Sequence, residues 1–344
     1  MKTYEEVVSI LETNGFKKFR AGQVFQGVYK EGRDNYDDIT TLPKDVKERL
    51  EREAPIYSIK PGHRMVSKID GTQKFLFQLQ SGHKMEAVLM RYSDKAGKRN
   101  TVCVSSQVGC ALKCAFCATG KLGFSKNLIA EEIADQVLYF DHILKKEGER
   151  VTNVVYMGMG EPFLNYDQVI KSVRILNDER CLNIAARNIT VSTSGVVDGI
   201  KRFTNEDWQV NLAVSLHAPT QEGRAAIMPI ALPHTLDQLM QALYDYTEKT
   251  HRRISYEYVL LKGVNDQDEH AHQLAKLLKG TLCHVNLIQY NETDLPFSKS
   301  SQLQTKSFLE ILESHNIPSS LRISRGQDIF GACGQLANKI EEEK

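Results

Sequence analysis

The sequence lacks the features of a membrane or secreted protein. Its 344 residues contain no apolar run that approaches the roughly 20 residues needed to span a membrane. Proline is scarce, with 9 residues, and no low-complexity tract occurs, which excludes a linker or a largely disordered chain. The amino terminus, MKTYEEVVSI, carries two glutamates where a secretion signal would be apolar. We therefore expect a globular protein of the cytoplasm that makes no membrane contact.

The chain as a whole also has almost no net charge, because it contains 44 Lys and Arg and 43 Asp and Glu. The charge is nevertheless uneven, since residues 58–126 hold twelve basic and three acidic side chains. The basic residues are Lys60, Arg64, Lys68, Lys74, Lys84, Arg91, Lys95, Lys98, Arg99, Lys113, Lys121 and Lys126. The aromatic residues among them are Phe75, Phe77, Tyr92, Phe116 and Phe124. Such a segment can follow a phosphate backbone and stack bases, although a solvated hairpin predicts the same pattern.

The chain has 7 cysteines, an odd number without the regular spacing of a secreted disulfide framework. Cys110, Cys114 and Cys117 have the spacing C-x3-C-x2-C, directly after a predicted strand. Three sulfurs at this spacing can face one metal centre, and a structural zinc site would need a fourth ligand from elsewhere. The candidates for that distant ligand are Cys283, His284 and Cys333. An iron-sulfur cubane with three protein ligands instead leaves one iron open to a small molecule.

The hydrophobic pattern along the chain predicts three parts. Apolar residues recur at helical spacing in the first fifty residues, and residues 41–54 form a further predicted helix with Pro43 in its first turn. The β-type runs MVSKI, KFLFQLQ and MEAVLMRY then predict an antiparallel hairpin or meander. After Thr101, strand-like and helix-like pieces alternate, which predicts an α/β fold with an incomplete (β/α) barrel. We expect domain boundaries that give a helical domain at residues 1–56, a basic β extension at 57–100 and the barrel at 101–344.

Several stretches of the sequence together resemble one known family. In chain order they are FRAGQVFQGVYKEG, DGTQKFLF, VCVSSQVGCALKCAFCATG, GMGEP, VSTSGV, VSLHAP, GVND, HVNLIQYN and GACGQL. With the cysteine motif, they resemble the RlmN family of radical S-adenosylmethionine (SAM) methyltransferases, which methylate C2 of adenosine in RNA. The resemblance implies a partial barrel of the radical SAM type, an RNA-binding helical accessory domain, and one 4Fe-4S cluster held by Cys110, Cys114 and Cys117.

The resemblance also implies a route for the methyl group, with two SAM molecules consumed in each turnover. Cys333 would take a methyl from one SAM, and the second would supply the radical that activates this methyl. The activated carbon would add to C2 and join protein to RNA. Glu86 would then accept the C2 proton, and Cys103 would release the product by forming a disulfide with Cys333. Without the resemblance, Glu86 reads as a solvent-facing strand residue and both cysteines as ordinary buried thiols.

Residues at the ends of predicted strands match the SAM-binding positions of the family. Gly160 and Glu161 follow VVYMG, where glycine allows close backbone approach and a carboxylate can accept from an ammonium group. The other positions that the resemblance implies are Ser192, Ser215, Leu216, His217 and Asn291. Taken alone, His217 would more often be a satisfied structural histidine than a ligand.

Two other functions fit parts of the pattern. The sister family Cfr methylates C8 of adenosine and confers antibiotic resistance, and Pro162 after Gly160 and Glu161 is the one residue that favours the C2 family. An RNA-binding protein with a structural metal site and no turnover is the alternative of another class. The resemblance implies large-subunit (23S) ribosomal RNA near the peptidyl-transferase centre and transfer RNA beside the anticodon as substrates. It also implies an electron donor such as flavodoxin, and we expect a monomer.

Overall fold

The computed structural model of the chain describes residues 1–94 and 97–338. Lys95 of the basic segment, and residues 339–344 at the end of the predicted barrel domain, lie outside the described residues. None of the helices within the described ranges is long and apolar enough to cross a membrane.

The first part of the chain is helical, as predicted, and contains α1 (Tyr4–Thr13), α2 (Phe19–Phe25) and α3 (Lys44–Glu53). The predicted apolar face is buried at Val7, Leu11, Val24, Phe25, Val28 and Tyr29. The expectation that Pro43 lies in the first turn of α3 is wrong, because Pro43 is extended, with ψ 155°, and precedes the helix. This position suits proline, since its carbonyl accepts from Lys47 while its missing N–H is not needed.

An antiparallel run of strands follows. Its members are β1 (Ile59–Val66), β2 (Gln73–Leu79), β3 (Lys84–Asp94) and β4 (Gly97–Cys103). The first strand lies earlier than the predicted MVSKI, because Ser67 already begins the turn before β2. The Ser67 hydroxyl accepts from the backbone N–H groups of Ile69 and Asp70, which commits these residues to a turn rather than to strand pairing.

A small hairpin of β5 (Gln107–Gly109) and β6 (Phe124–Asn127) comes next and encloses the cysteine motif. The remaining strands continue the main sheet in parallel from β4. They are β7 (Asn153–Tyr156), β8 (Ile189–Thr193), β9 (Asn211–Ser215), β10 (Ile254–Leu260), β11 (Cys283–Gln289) and β12 (Ser319–Arg322). The sheet has the order β1-β2-β3-β4-β7-β8-β9-β10-β11-β12. This open (β/α) arrangement confirms the predicted partial barrel with its antiparallel extension.

Helices connect the parallel strands. They are α4 (Ala118–Lys121), α5 (Ala130–Lys145), α6 (Tyr166–Asn177), α7 (Val197–Phe203), α8 (Gln221–Ile227), α9 (Leu236–Thr250), α10 (Asp268–Leu278) and α11 (Gln302–Ser314). Helix α5 also joins the helical part to the barrel, because buried His142 Nε2 lies 2.9 Å from the Val28 carbonyl and the amino group of Met1 pairs with Asp135. Since all parallel strands run the same way, their carboxyl ends form one rim, where sites of such folds gather.

The structure corrects part of the predicted RNA-binding segment. Phe75 and Phe77 pack on Tyr139 and Phe140 of α5, with ring centroids 5.1 to 6.2 Å apart, so their rings are not free to stack bases. Basic residues that form ion pairs with neighbouring carboxylates are Lys74, Arg91, Lys98 and Lys126. Basic residues that remain exposed on β1 and its turn are Lys60, Arg64 and Lys68.

Candidate active site

A cavity, here called the strand-end cavity, opens at the carboxyl rim of the parallel strands. It is lined by residues from the ends of β7 to β12, from the loop between β5 and β6, and from the segment after β12. The predicted site residues that line it are Cys110, Cys114, Cys117, Gly160, Glu161, Ser192, Ser215, His217, Asn291 and Cys333. With Met228, residues from nine separate segments thus meet at one place, although the sequence keeps them up to 224 positions apart, from Cys110 to Gly334.

The cysteine loop between β5 and β6 has a conformation that only glycine permits at its entrance. Gly109 has φ +73°, and a Cβ there would lie 1.8 Å from the Gly123 carbonyl oxygen. This close approach lets the Cys110 N–H donate to the same oxygen at 2.9 Å. The hairpin therefore closes tightly beneath the loop and holds the three cysteines against the cavity.

The three cysteines fit an iron-sulfur cluster better than a single ion. Cys110, Cys114 and Cys117 all line the strand-end cavity, and burial, followed by the neighbouring Cys117 and Cys110 sulfurs, raises the pKa of Cys114. Within residues 1–94 and 97–338, however, no group of three His, Cys, Asp or Glu side chains lies close enough together to bind one metal ion. A zinc ion needs each sulfur at about 2.3 Å, whereas a cubane offers separate irons. Of the three distant zinc candidates, Cys283 and His284 lie at the opposite, amino-terminal end of β11, whereas Cys333 lines the same cavity as the three motif cysteines.

Glu161 is held in place by backbone donors. Its carboxylate accepts from the N–H groups of Phe163 at 3.0 Å and Ser194 at 2.7 Å, and its own N–H donates to Gln107 Oε1 at 2.9 Å. Burial raises the pKa of Glu161, and the two backbone hydrogen bonds oppose this shift. A buried carboxylate of fixed orientation at the rim can receive a cationic group of a ligand.

His217 is neutral at ordinary pH, because burial, followed by the charge of Arg224, lowers its pKa to about 3. Its Nδ1 accepts from the Val259 N–H at 3.0 Å, so the proton of the neutral ring sits on Nε2. The ring packs edge-to-face on Phe116 of the cysteine loop, with centroids 4.9 Å apart. The neutral imidazole is thus held in one orientation by the backbone of β10 and by Phe116.

Three of the predicted site residues do not line the strand-end cavity: Leu216, Glu86, and Cys103, which lines a neighbouring cavity described below. Leu216 is fully buried, and it offers only its backbone, which bonds to Glu257 and Arg224. Glu86 is also buried, with 1% of its side chain exposed, and forms an ion pair with Lys74 at 2.9 Å. Its carboxylate accepts from the N–H groups of Ala337 and Asn338. The carboxy-terminal segment therefore covers Glu86.

A second cavity, here called the thiol cavity, adjoins the first. Cys103 at the end of β4 and Cys333 both line it, and Cys333 lines the strand-end cavity as well. Both are free thiols, as are the other five cysteines. Burial, and then the nearby Cys333 sulfur, raises the pKa of Cys103 to about 12, while Arg322 opposes the shift. Cys333 thus lies on the wall shared by the two cavities, near both the cysteine loop and Cys103.

Charged residues that the sequence patterns did not single out complete the two cavities. Arg322 lines both, and its Nη1 lies 3.6 Å from Glu257 Oε2; that buried oxygen has no hydrogen-bond partner among the described residues. Arg224 lines neither cavity, but it is fully buried and supports the strand-end cavity from behind by donating to the carbonyls of Ser215 at 2.9 Å and Leu216 at 2.7 Å. For Glu257, the single charge in the largely apolar strand ISYEYVLL was the available signal, because charges are rarely buried without a partner. Neither SLRISR nor the helix that carries Arg224 offered such a signal.

Comparison with known proteins agrees with this geometry. Residues 104–275 match the Radical SAM superfamily, and residues 2–56 match the ribosomal RNA large subunit methyltransferase N-terminal domain. The chain is 46% identical to the probable dual-specificity RNA methyltransferase RlmN of Alkaliphilus metalliredigens, over 99% of this chain and 95% of that one. It is 42% identical to the ribosomal RNA large subunit methyltransferase N of Nitrosopumilus maritimus, over 98% and 97%.

A solved structure also confirms the fold. The radical SAM methyltransferase from Sphaerobacter thermophilus matches with a TM-score of 0.94 and 44% identity, and the match covers 97% of each chain. The family profiles, the full-length relatives and this structure agree on one assignment. The chain is therefore an enzyme and belongs to the RlmN family of radical SAM methyltransferases.

Proposed function

We propose that this enzyme methylates C2 of adenosine in ribosomal and transfer RNA, with Cys333 as the methyl carrier. The observation that carries the proposal is the placement of Cys103 and Cys333 in one cavity beside the cysteine loop. Carbon C2 has no lone pair to attack a methyl group, so its methylation needs a carrier that bonds to the base and is then released. A pair of facing thiols meets both needs.

The rim residues would bind the cofactors. Cys110, Cys114 and Cys117 would hold a 4Fe-4S cluster, which together with bound SAM supplies an organic radical. Glu161 would accept from the ammonium group of the methionine part, because its carboxylate is already oriented by two backbone donors. Neutral His217 would donate from Nε2, and the backbone next to Gly160 would allow close approach of the ligand.

Cys333 and Cys103 would carry out the steps on the protein. The Cys333 sulfur accepts a methyl group by displacement, and after loss of a hydrogen atom the same carbon bonds to C2. The adduct loses the C2 proton and one electron, which replaces the electron supplied by the reductant at the start of the cycle. The Cys103 thiolate then attacks the Cys333 sulfur, and the sulfur–carbon bond breaks with its electron pair on the product carbon, which takes a proton and becomes the methyl group. A disulfide remains and must be reduced before the next cycle. Glu86 would accept the C2 proton, which requires residues 337 and 338 to leave its carboxylate first.

RNA would be bound by the helical first part of the chain and by the exposed basic residues of β1. Lys60, Arg64 and Lys68 are exposed there, and each phosphate contact steepens the dependence of affinity on salt concentration. We further propose that a flavodoxin-type electron donor serves the enzyme, and that it acts as a monomer in the cytoplasm.

The proposal is tested by incubating the reconstituted enzyme anaerobically with reductant, labelled SAM and RNA, followed by digestion of the RNA to nucleosides. We expect labelled 2-methyladenosine. Labelled 8-methyladenosine would assign the chain to the Cfr reaction, and absence of any methylated adenosine would overturn the proposal. Replacing Cys333 by Ala should abolish the product, and replacing Cys103 by Ala should trap enzyme joined to RNA on a denaturing gel. Cys181→Ala is the matched control, because Cys181 is buried and lines neither cavity.

A further inference from the structure

The segment that carries Cys333 has little regular structure of its own. After a short turn of helix at Gln327–Ile329, residues 331–338 form neither helix nor strand. Buried backbone groups in such a segment must find partners elsewhere. Several come from the barrel: Asn291 Nδ2 donates to the Cys333 carbonyl at 3.0 Å, and Thr119 Oγ1 donates to the Leu336 carbonyl at 2.6 Å.

The two ends of this segment rest on the antiparallel extension instead. Lys74 Nζ on β2 donates to the Phe330 carbonyl at 3.3 Å, before Cys333. Glu86 Oε2 on β3 accepts from the N–H groups of Ala337 at 2.9 Å and Asn338 at 3.1 Å, after Cys333. The two side chains thus contact the backbone on both sides of the proposed methyl carrier.

Lys74 and Glu86 are also joined to each other. Their charged groups lie 2.9 Å apart, a contact of ion-pair rather than hydrogen-bond geometry, and their side chains are 3% and 1% exposed. A buried ion pair adds little stability compared with apolar residues, and one recognised use of such a pair is to specify a single arrangement. Here the arrangement includes the second thiol, because β3 pairs with β4 so that Val88, two residues after Glu86, lies opposite Cys103.

We propose that Lys74 and Glu86 form a clamp that holds residues 330–338 on the extension and so sets the position of Cys333 relative to Cys103. Both are positioning residues in this role, since neither lines the strand-end cavity or the thiol cavity. The inference rests on the proposed function, in which Cys333 must approach Cys103. The clamp would also be a role of the antiparallel extension other than RNA binding. It would explain why one basic residue of the extension, Lys74, contacts protein and not solvent.

The clamp is tested on the full-length reconstituted protein without RNA. Lys74→Met removes one half and leaves Glu86 unpaired. The double variant Lys74→Met/Glu86→Met removes both charges and the acceptor of the Ala337 and Asn338 N–H groups, so that no lone charge is left buried. Lys145→Met is the matched control, because Lys145 also pairs with a buried carboxylate, Asp141, and donates to a backbone carbonyl, but lies in α5.

Two measurements report whether the segment stays in place. The first is hydrogen exchange of peptides within residues 331–338, and the second is the ratio of the alkylation rate of Cys333 to that of buried Cys181. The ratio is insensitive to general loosening of the fold, because loosening would speed both thiols. We expect both clamp variants to raise exchange and the ratio by about tenfold or more, since a segment held by few contacts opens when these are lost. Lys145→Met should change neither by more than about twofold.

Values for both clamp variants within the range of Lys145→Met would overturn the clamp. Neither measurement requires methylation. A wild-type enzyme that protects residues 331–338 but methylates no RNA would therefore leave the clamp standing and remove the proposed function. The two ideas fail separately.

Discussion

The replacement of Gly160 by alanine gives the sharpest test of how the rim is built. Gly160 has φ +102°, and an added Cβ would lie 2.5 Å from Gln107 Cβ and 2.9 Å from Gln107 N. These are parts of β5 that cannot rotate away. The positive φ costs about 1–2 kcal/mol for a residue with a Cβ, and forcing the overlap apart adds about 1–3 kcal/mol. We expect Gly160→Ala to lower the free energy of unfolding by about 2–5 kcal/mol in total.

The displacement should also reach the ligand site. Gln107 Oε1 accepts from the Glu161 N–H at 2.9 Å, so pushing Gln107 away moves the carboxylate that is proposed to bind the SAM ammonium group. A loss of about 1.4 kcal/mol in binding is a tenfold loss in affinity, and we expect at least about this much. Urea unfolding of the full chain measures the first effect, and calorimetric titration with SAM measures the second.

Gly280→Ala is the control for backbone conformation alone. Gly280 has φ +78°, and nothing lies within 4 Å of the position of its Cβ, so this variant should lose only about 1–2 kcal/mol and keep its affinity for SAM. Equal losses in both variants would show that the contact with Gln107 is unimportant and that the reasoning about the rim is wrong.

Three further outcomes follow from the buried titratable groups. Arg224→Met removes the donor to the Ser215 and Leu216 carbonyls and should cost about 3–5 kcal/mol in urea unfolding; a loss under about 1 kcal/mol would contradict this. His217 has a pKa of about 3 when folded and about 6.5 when unfolded, so the unfolded state binds the extra proton and stability falls as pH drops through this window. Between pH 6.5 and 4.5, wild type should lose about 2–3 kcal/mol more than His217→Gln, and equal losses would refute the assignment. Because burial raises the Cys103 pKa to about 12, its alkylation should rise about tenfold per pH unit from 7 to 10, and a plateau below pH 10 would contradict this.

Local patterns predicted the parts of this protein that depend on neighbouring residues. The alternation of strands and helices after Thr101 is confirmed, because apolar periodicity follows from which face of each element is buried. The C-x3-C-x2-C motif needed no long-range information, since three sulfurs on one short loop are close in any fold. The boundaries were less accurate where a side chain competes with the backbone, as the Ser67 hydroxyl does at the end of β1.

The tertiary structure alone decided which distant residues meet. In the sequence, Lys74 is one of twelve basic residues in a segment expected to be basic surface, yet it contacts the backbone of Phe330, 256 residues away. Glu86 could not be distinguished from a solvent-facing residue by its position in a strand, because its burial comes from a segment at the other end of the chain. Cys103 and Cys333 share a cavity for the same reason: the order of strands in the sheet sets their proximity, and no short stretch of sequence encodes that order.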